Sequence, residues 1–186
     1  MALAVALRAG VDLRLVIVYV AALLAAFGYK LVRRRGRRPT AITTRTWEAF
    51  QQGLVWEVGR LEAGTKVVIA AAAERRAYVQ VARDADRLYA EAVSNRVLRG
   101  DRRQSPGQEQ RLAGAGWQPP DERHPNWWCD RQGLLSATDS QQLAALIVIA
   151  LQEGLGIAQP QELQYRAWND ATRKRVDLPG LHPVEL

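Results

Sequence analysis

The pattern of apolar and polar positions changes character near residue 38. LRLVIVYVAALLAAFGYKLV, residues 13–32, holds fifteen uncharged positions in a row, from 15 to 29. The run reaches about twenty when Arg14 and Lys30 extend their charged ends toward head groups, and that length of helix crosses a bilayer. The pattern therefore predicts one transmembrane helix within residues 1–38. Beyond Pro39 it becomes amphipathic. Trp47, Phe50, Leu54, Val58 and Leu61 recur at helical spacing, with Thr43, Thr44 and Thr46 as candidate caps and Glu62, Ala63 and Gly64 at the close.

The period then shortens to two. TKVVIAAAA (65–73) is a short apolar run with β-branched residues, followed by the polar turn Glu74, Arg75, Arg76. AYVQVARD (77–84) alternates, with Tyr78, Gln80 and Ala82 on one face and Val79, Val81 and Arg83 on the other. RLYAEAVSN (87–95) sets Leu88, Ala90 and Ala92 opposite Tyr89, Glu91 and Val93. Three strands with tight polar turns make an antiparallel meander that needs one face covered. RGDRRQSPGQ (99–108) is loop by composition, and QEQRLAGAG is a short helix carrying Leu112 and ending in glycine. Leu143, Leu146, Ile147, Ala150, Leu151 and Leu155 form the wide stripe of a C-terminal helix that covers the sheet. ELQYRAWN (162–169) adds one more strand. The expected fold is α+β, a small antiparallel β-sheet packed by N- and C-terminal helices and preceded by one transmembrane helix. Its divisions are the membrane segment with its basic cluster (1–38), the folded domain (39–170) and a flexible tail (171–186).

Charge sharpens this division. The chain carries +7 overall, and all of that excess lies in the first 38 residues; the remainder holds 18 basic and 18 acidic groups. A neutral domain has no net basic face to displace counterions from phosphates, so nucleic acid is not an expected partner. Arg33, Arg34, Arg35, Arg37 and Arg38 follow the apolar run rather than precede it, which is the wrong polarity for a cleaved signal peptide. Arg14, Lys30, Arg33, Arg34 and Arg35 are the expected membrane anchor. The richer basic flank stays inside, placing the N-terminus outside the inner (plasma) membrane and the domain in the cytoplasm. The basic cluster would also hold the linker near anionic lipid.

GWQPPDERHPNWWCD, residues 116–130, concentrates three tryptophans with a histidine and the single cysteine, and reads as a loop in which Cys129 is a plain thiol beside a solvated His124. His124 and Cys129 lack the two further ligands a metal needs, and no third group marks a nucleophilic pair. Glycines 114 and 116 precede tryptophan and prolines, without the lysine of a nucleotide loop. No catalytic, cofactor or metal residues are assigned, and an enzyme is not expected. Trp117, Trp127 and Trp128 are instead the candidate partner-binding residues. Neighbouring side chains in an extended segment point to opposite sides, and because Pro125 and Asn126 bend the chain inward just before the pair, Trp127 is expected in the core and Trp128 at the surface.

In order, YVQVARDADRLYAEAVSN, LAGAGWQPPDERHPNWW and GIAQPQELQYRAW resemble the actinobacterial TY-Chap domain, a relative of YbjN proteins and type III secretion chaperones. The resemblance spans about residues 41–170 and implies an α+β domain that binds protein rather than performs chemistry. With the membrane segment, it implies a membrane-anchored, chaperone-like adaptor or accessory subunit. Its partner would be a protein of an inner-membrane complex for envelope-lipid transport, secretion or respiration, with membrane lipids touching the N-terminal helix and a homodimer left open. The alternative is a small-ligand or lipid-binding module using the groove between sheet and C-terminal helix.

Overall fold

The computed structural model describes residues 39–133 and 136–182. The expected transmembrane helix, with Arg14, Lys30, Arg33, Arg34 and Arg35, lies outside the described residues. Among those described, no helix is long and apolar enough to cross a membrane.

Helix α1, Trp47–Arg60, starts where Thr46 turns its side chain back to accept the Ala49 N–H at 3.2 Å. Phe50, Leu54 and Val58 form its buried stripe. Helix α2, Pro106–Ala115, opens on a capping box between Ser105 and Gln108 and stops at Gly116, which adopts the left-handed conformation at φ 111°. Helix α3, Ala137–Ile149, is capped by Ser136 and Asp139 and continues into a π turn, Ala150–Gly154. Gly154 is needed there because a Cβ would meet Leu112 Cδ2 at 2.8 Å.

Among the described residues, six strands form one antiparallel sheet: β1 (Thr40–Ala41), β2 (Thr65–Ala71), β3 (Tyr78–Arg83), β4 (Arg87–Ala92), β5 (Trp127–Gln132) and β6 (Leu163–Asn169). Their spatial order is β1-β6-β2-β3-β4-β5. Strict alternation sends Val67, Ile69, Val79, Val81, Leu88, Ala90, Trp127, Cys129, Leu163, Tyr165 and Ala167 into one core together with the buried stripes of the three helices. The domain is thus two layers, helices on one face of a sheet.

Two expectations require correction. Residues 127–132, read as part of a loop, form an edge strand. They pair with β4 through Ala92↔Trp127, Ala90↔Cys129 and Leu88↔Arg131. Cys129 is accordingly a buried core thiol, not a loop thiol. Residues 171–182, read as a flexible tail, fold back along β6. Asn169 N–H donates to Lys174 O and Val176 N–H to Ala167 O, at 2.9 and 3.0 Å, after which Leu178 and Leu181 enter the core. Isolated leucines among charges and prolines carry no period, but burying each removes a full aliphatic side chain from water.

The alternative ligand was expected in the space between the sheet and α3. Trp117, Leu143, Ile147 and Leu151 are each at most 1% exposed and fill it.

Candidate functional site

The tryptophan-rich stretch is assembled by a set of buried polar contacts. Trp117, 1% exposed, donates its indole N–H to the Leu146 carbonyl of α3 at 3.1 Å. Trp127, 4% exposed, donates to Gln104 Oε1 at 3.0 Å, and Gln104 in turn donates to Val93 O at 3.2 Å. Asn126 accepts the Ser94 N–H and donates to the Tyr78 hydroxyl. Ser94 Oγ donates to Pro125 O at 2.6 Å. Gln118 and Trp128 exchange two backbone hydrogen bonds, 2.8 and 3.1 Å, which ties the loop shut. Trp117 and Trp127 therefore support the site from inside.

Trp128 alternates with Trp127 and lies half-buried on the opposite face of the sheet. All three helices pack against the other side, so this is the face that no described helix covers. Strand register lays out its residues in rows. Arg166, Val68, Gln80, Glu91 and Trp128 cross the sheet from β6 to β5. Trp168, Lys66, Ala82, Tyr89 and Asp130 form the next row, and Gln164, Ala70 and Tyr78 a third.

Among the described residues, two ion pairs lie on this face. Arg87 Nε lies 2.8 Å from Asp130 Oδ1 and its guanidinium is 5.1 Å from the Tyr89 ring centre. Lys66 Nζ lies 2.7 Å from Asp170, which also accepts the Trp168 indole N–H at 2.8 Å. Half-exposed ion pairs stabilise little, but they fix side-chain positions. The hydrogen bond that Arg87 donates to Asp130 raises the Arg87 pKa further, so that charge is permanent. Burial, with Glu91 nearby, pushes the Tyr89 hydroxyl well above its usual range, so the ring stays neutral. Burial of Cys129 beneath this face pushes its thiol up to about 11, which removes thiolate chemistry near neutral pH. Lys66, Arg87 and Arg166 against Glu91, Asp130 and Asp170, interleaved with aromatic rings, make an amphipathic surface suited to polypeptide rather than to phosphate.

One surface tryptophan was not among the sequence candidates. Trp56 is 48% exposed on the outer side of α1, its ring stacked by Arg60 at 3.7 Å. It falls off the 47/50/54/58/61 stripe, and that offset is the signal that places it in solvent. A lone exposed ring partly covered by its own helix is ordinary surface.

Residues 40–169 match the family described as T3SS (YopN, CesT) and YbjN peptide-binding chaperone 3. The chain belongs to this TY-Chap3 family. No curated protein and no solved structure matches it. The TY-Chap3 match begins with β1 and ends with β6, so it contains the six described strands, the three described α-helices and the uncovered face. It leaves out residues 170–182, the segment folded back along β6. TY-Chap3 membership makes the chain chaperone-like and implies a protein partner.

Proposed function

We propose that the chain is a non-enzymatic, membrane-anchored TY-Chap3 adaptor that binds a peptide segment of a partner protein across the uncovered face of its sheet. The carrying observation is that face itself, with Trp128, Tyr89, Tyr78 and Trp168 among charges of both signs in a domain of a peptide-binding chaperone family. Aromatic rings provide the area and orientation typical of interface hot spots, and alternating charges fix register. Anchoring rests on the apolar run at 13–32 and the basic cluster after it, which favour a single-pass inner-membrane protein with a cytoplasmic domain. The partner would then be a subunit of an inner-membrane machine. The arginine-rich, lysine-poor composition fits a high-GC actinobacterial source.

A photo-reactive phenylalanine analogue at position 89 of the full chain, irradiated in native membranes, tests this. The expected product is a cross-link to one membrane-complex protein, lost in Trp128→Ala. Cross-links to lipid alone would overturn the reading in favour of a lipid-binding module.

A further inference from the structure

The segment that lies beyond the family match is held in a manner that describes a second binding site. Residues 174–176 extend the sheet on the outer edge of β6, with Trp168 bridged to Arg175. The chain then turns inward. Leu178 is buried against α1 and β2, where it lines a small cavity together with Leu54, Glu57, Val58, Val67 and Ile69, and Leu181 is fully buried beside α1. Addition of an extended strand to a sheet edge, with side chains seated in pockets, is a standard mode of peptide recognition.

The domain reads this segment mainly through its backbone. Tyr165 Oη accepts the Leu178 N–H at 3.2 Å, and Glu57 Oε1 accepts the Gly180 N–H at 2.6 Å. Thr44 Oγ1 donates to the Leu181 carbonyl at 3.0 Å. Main-chain groups are common to every polypeptide, so these three side chains do not restrict the site to this sequence. What they demand is spacing. A Cβ at Gly180 would meet Gly53 O at 2.9 Å and Glu57 Oε1 at 3.0 Å, and a Cβ at Gly53 would collide with the Gly180 carbonyl. The accepted pattern is aliphatic–x–glycine–aliphatic, here Leu178, Pro179, Gly180 and Leu181.

The connection to this segment is also the place to open it. Arg173 is the one non-glycine residue at positive φ among the described residues, at 61°, in an exposed turn. L-residues adopt that region seldom and at a cost. We propose that the groove between α1 and the β6 edge is a peptide-binding site. It accepts an extended client segment bearing an aliphatic–x–glycine–aliphatic pattern, in exchange for the chain's own residues 174–181. The class of ligand rests on the peptide-binding reading above, but the site is a different one. A short tether keeps the internal segment at an effective concentration on the order of millimolar, so external peptide competes poorly until the tail is weakened.

The test uses the full chain and a fluorescent peptide of sequence RKRVDLPGLH, followed by polarisation. Leu178→Asp with Leu181→Asp, which removes the internal competitor, is expected to tighten binding on the order of tenfold or more. The same peptide with valine at the glycine position should not bind. A folded double variant that binds no better than the unaltered chain, or equal binding of the valine peptide, overturns the proposal. If the double variant does not fold, hydrogen exchange of the unaltered chain decides. The Leu178, Gly180 and Leu181 amides should exchange at least about a hundredfold faster than those of Val67 and Ile69, through local opening. Equal rates would make the segment an inseparable part of the core and end the proposal. Tail exchange without cross-linking at position 89 would leave this groove standing and sink only the sheet-face reading, and the converse result would do the opposite.

Discussion

Replacing Trp127 tests how the tryptophan-rich stretch is built. The indole is 4% exposed and its N–H is the partner of Gln104 Oε1 at 3.0 Å. Truncation to alanine costs about 3–5 kcal/mol for the lost ring and its cavity. It also strands the buried Gln104 acceptor, for about 1–3 kcal/mol more. The combined loss approaches the whole stability of an ordinary domain, about 5–15 kcal/mol. Trp127→Phe keeps an aromatic ring in place, so its cost is a smaller cavity together with the stranded acceptor, the latter about 1–3 kcal/mol. Trp128→Ala, half-buried on the other face, should cost no more than about 1–2 kcal/mol. Urea unfolding of the three variants by circular dichroism should rank them Trp127→Ala far below Trp127→Phe, with Trp128→Ala nearest the unaltered protein. Equal midpoints for the two alanine variants would refute the claim that β5 divides its tryptophans between core and surface. A Trp127→Phe midpoint indistinguishable from the unaltered protein would show that the Gln104 contact contributes nothing.

Four further outcomes can be measured. Gly53→Val should displace residues 178–181 while leaving the sheet intact, seen as proteolytic release of the C-terminal segment; an unchanged cleavage pattern would contradict the close approach of α1 to Gly180. Cys129, buried and with its thiol pushed up to about 11, should react with maleimide at neutral pH only after denaturation, and rapid native labelling would contradict its place in the core. The proposed membrane anchoring and its orientation are therefore tested with a cysteine introduced at exposed Gln141 instead, expected to be labelled by an impermeant reagent only in opened cells. Burial holds the Glu57 carboxyl above its ordinary 4.5, against the pull of the Gly180 amide and Arg60 and with the push of Asp177. Its contribution is thus fully present below 4.5 and lost as pH rises through its folded value. Thermal melts should show the unaltered chain gaining stability relative to Glu57→Gln on acidification. The opposite slope of His182, lowered by burial, is common to both proteins and cancels.

Periodicity in the sequence located most of the framework for a simple reason. The stripe of Trp47, Phe50, Leu54 and Val58 and the alternations in β3, β4 and β6 are repeated often enough within one segment to announce which side faces the core. β5 is different, because WWCDRQ follows prolines and polar residues, and its alternation acquires meaning only from β4 alongside. The folded tail is equally invisible, since Leu178 and Leu181 depend on Gly53 having no side chain 125 or more positions earlier. Gln104 sits in a segment rich in arginine and glycine, and nothing local reveals that it receives Trp127. Strand geometry alone puts Trp127 and Trp128 on opposite sides, and pairing with β4 makes Trp127 the inward one. The role of the outward face does not, because Tyr78, Tyr89 and Trp168 join Trp128 only through sheet register.

The central claim is that Trp128 and its row neighbours form the surface that recognises protein. The direct measurement is the dissociation constant of the full chain for the segment cross-linked at position 89, compared among the unaltered protein, Trp128→Ala and Trp56→Ala. A hot-spot ring is worth about 2 kcal/mol or more, so Trp128→Ala should weaken binding roughly thirtyfold while Trp56→Ala leaves it unchanged. A folded Trp128→Ala protein that binds as tightly as the original, or an equal loss with Trp56→Ala, would contradict it.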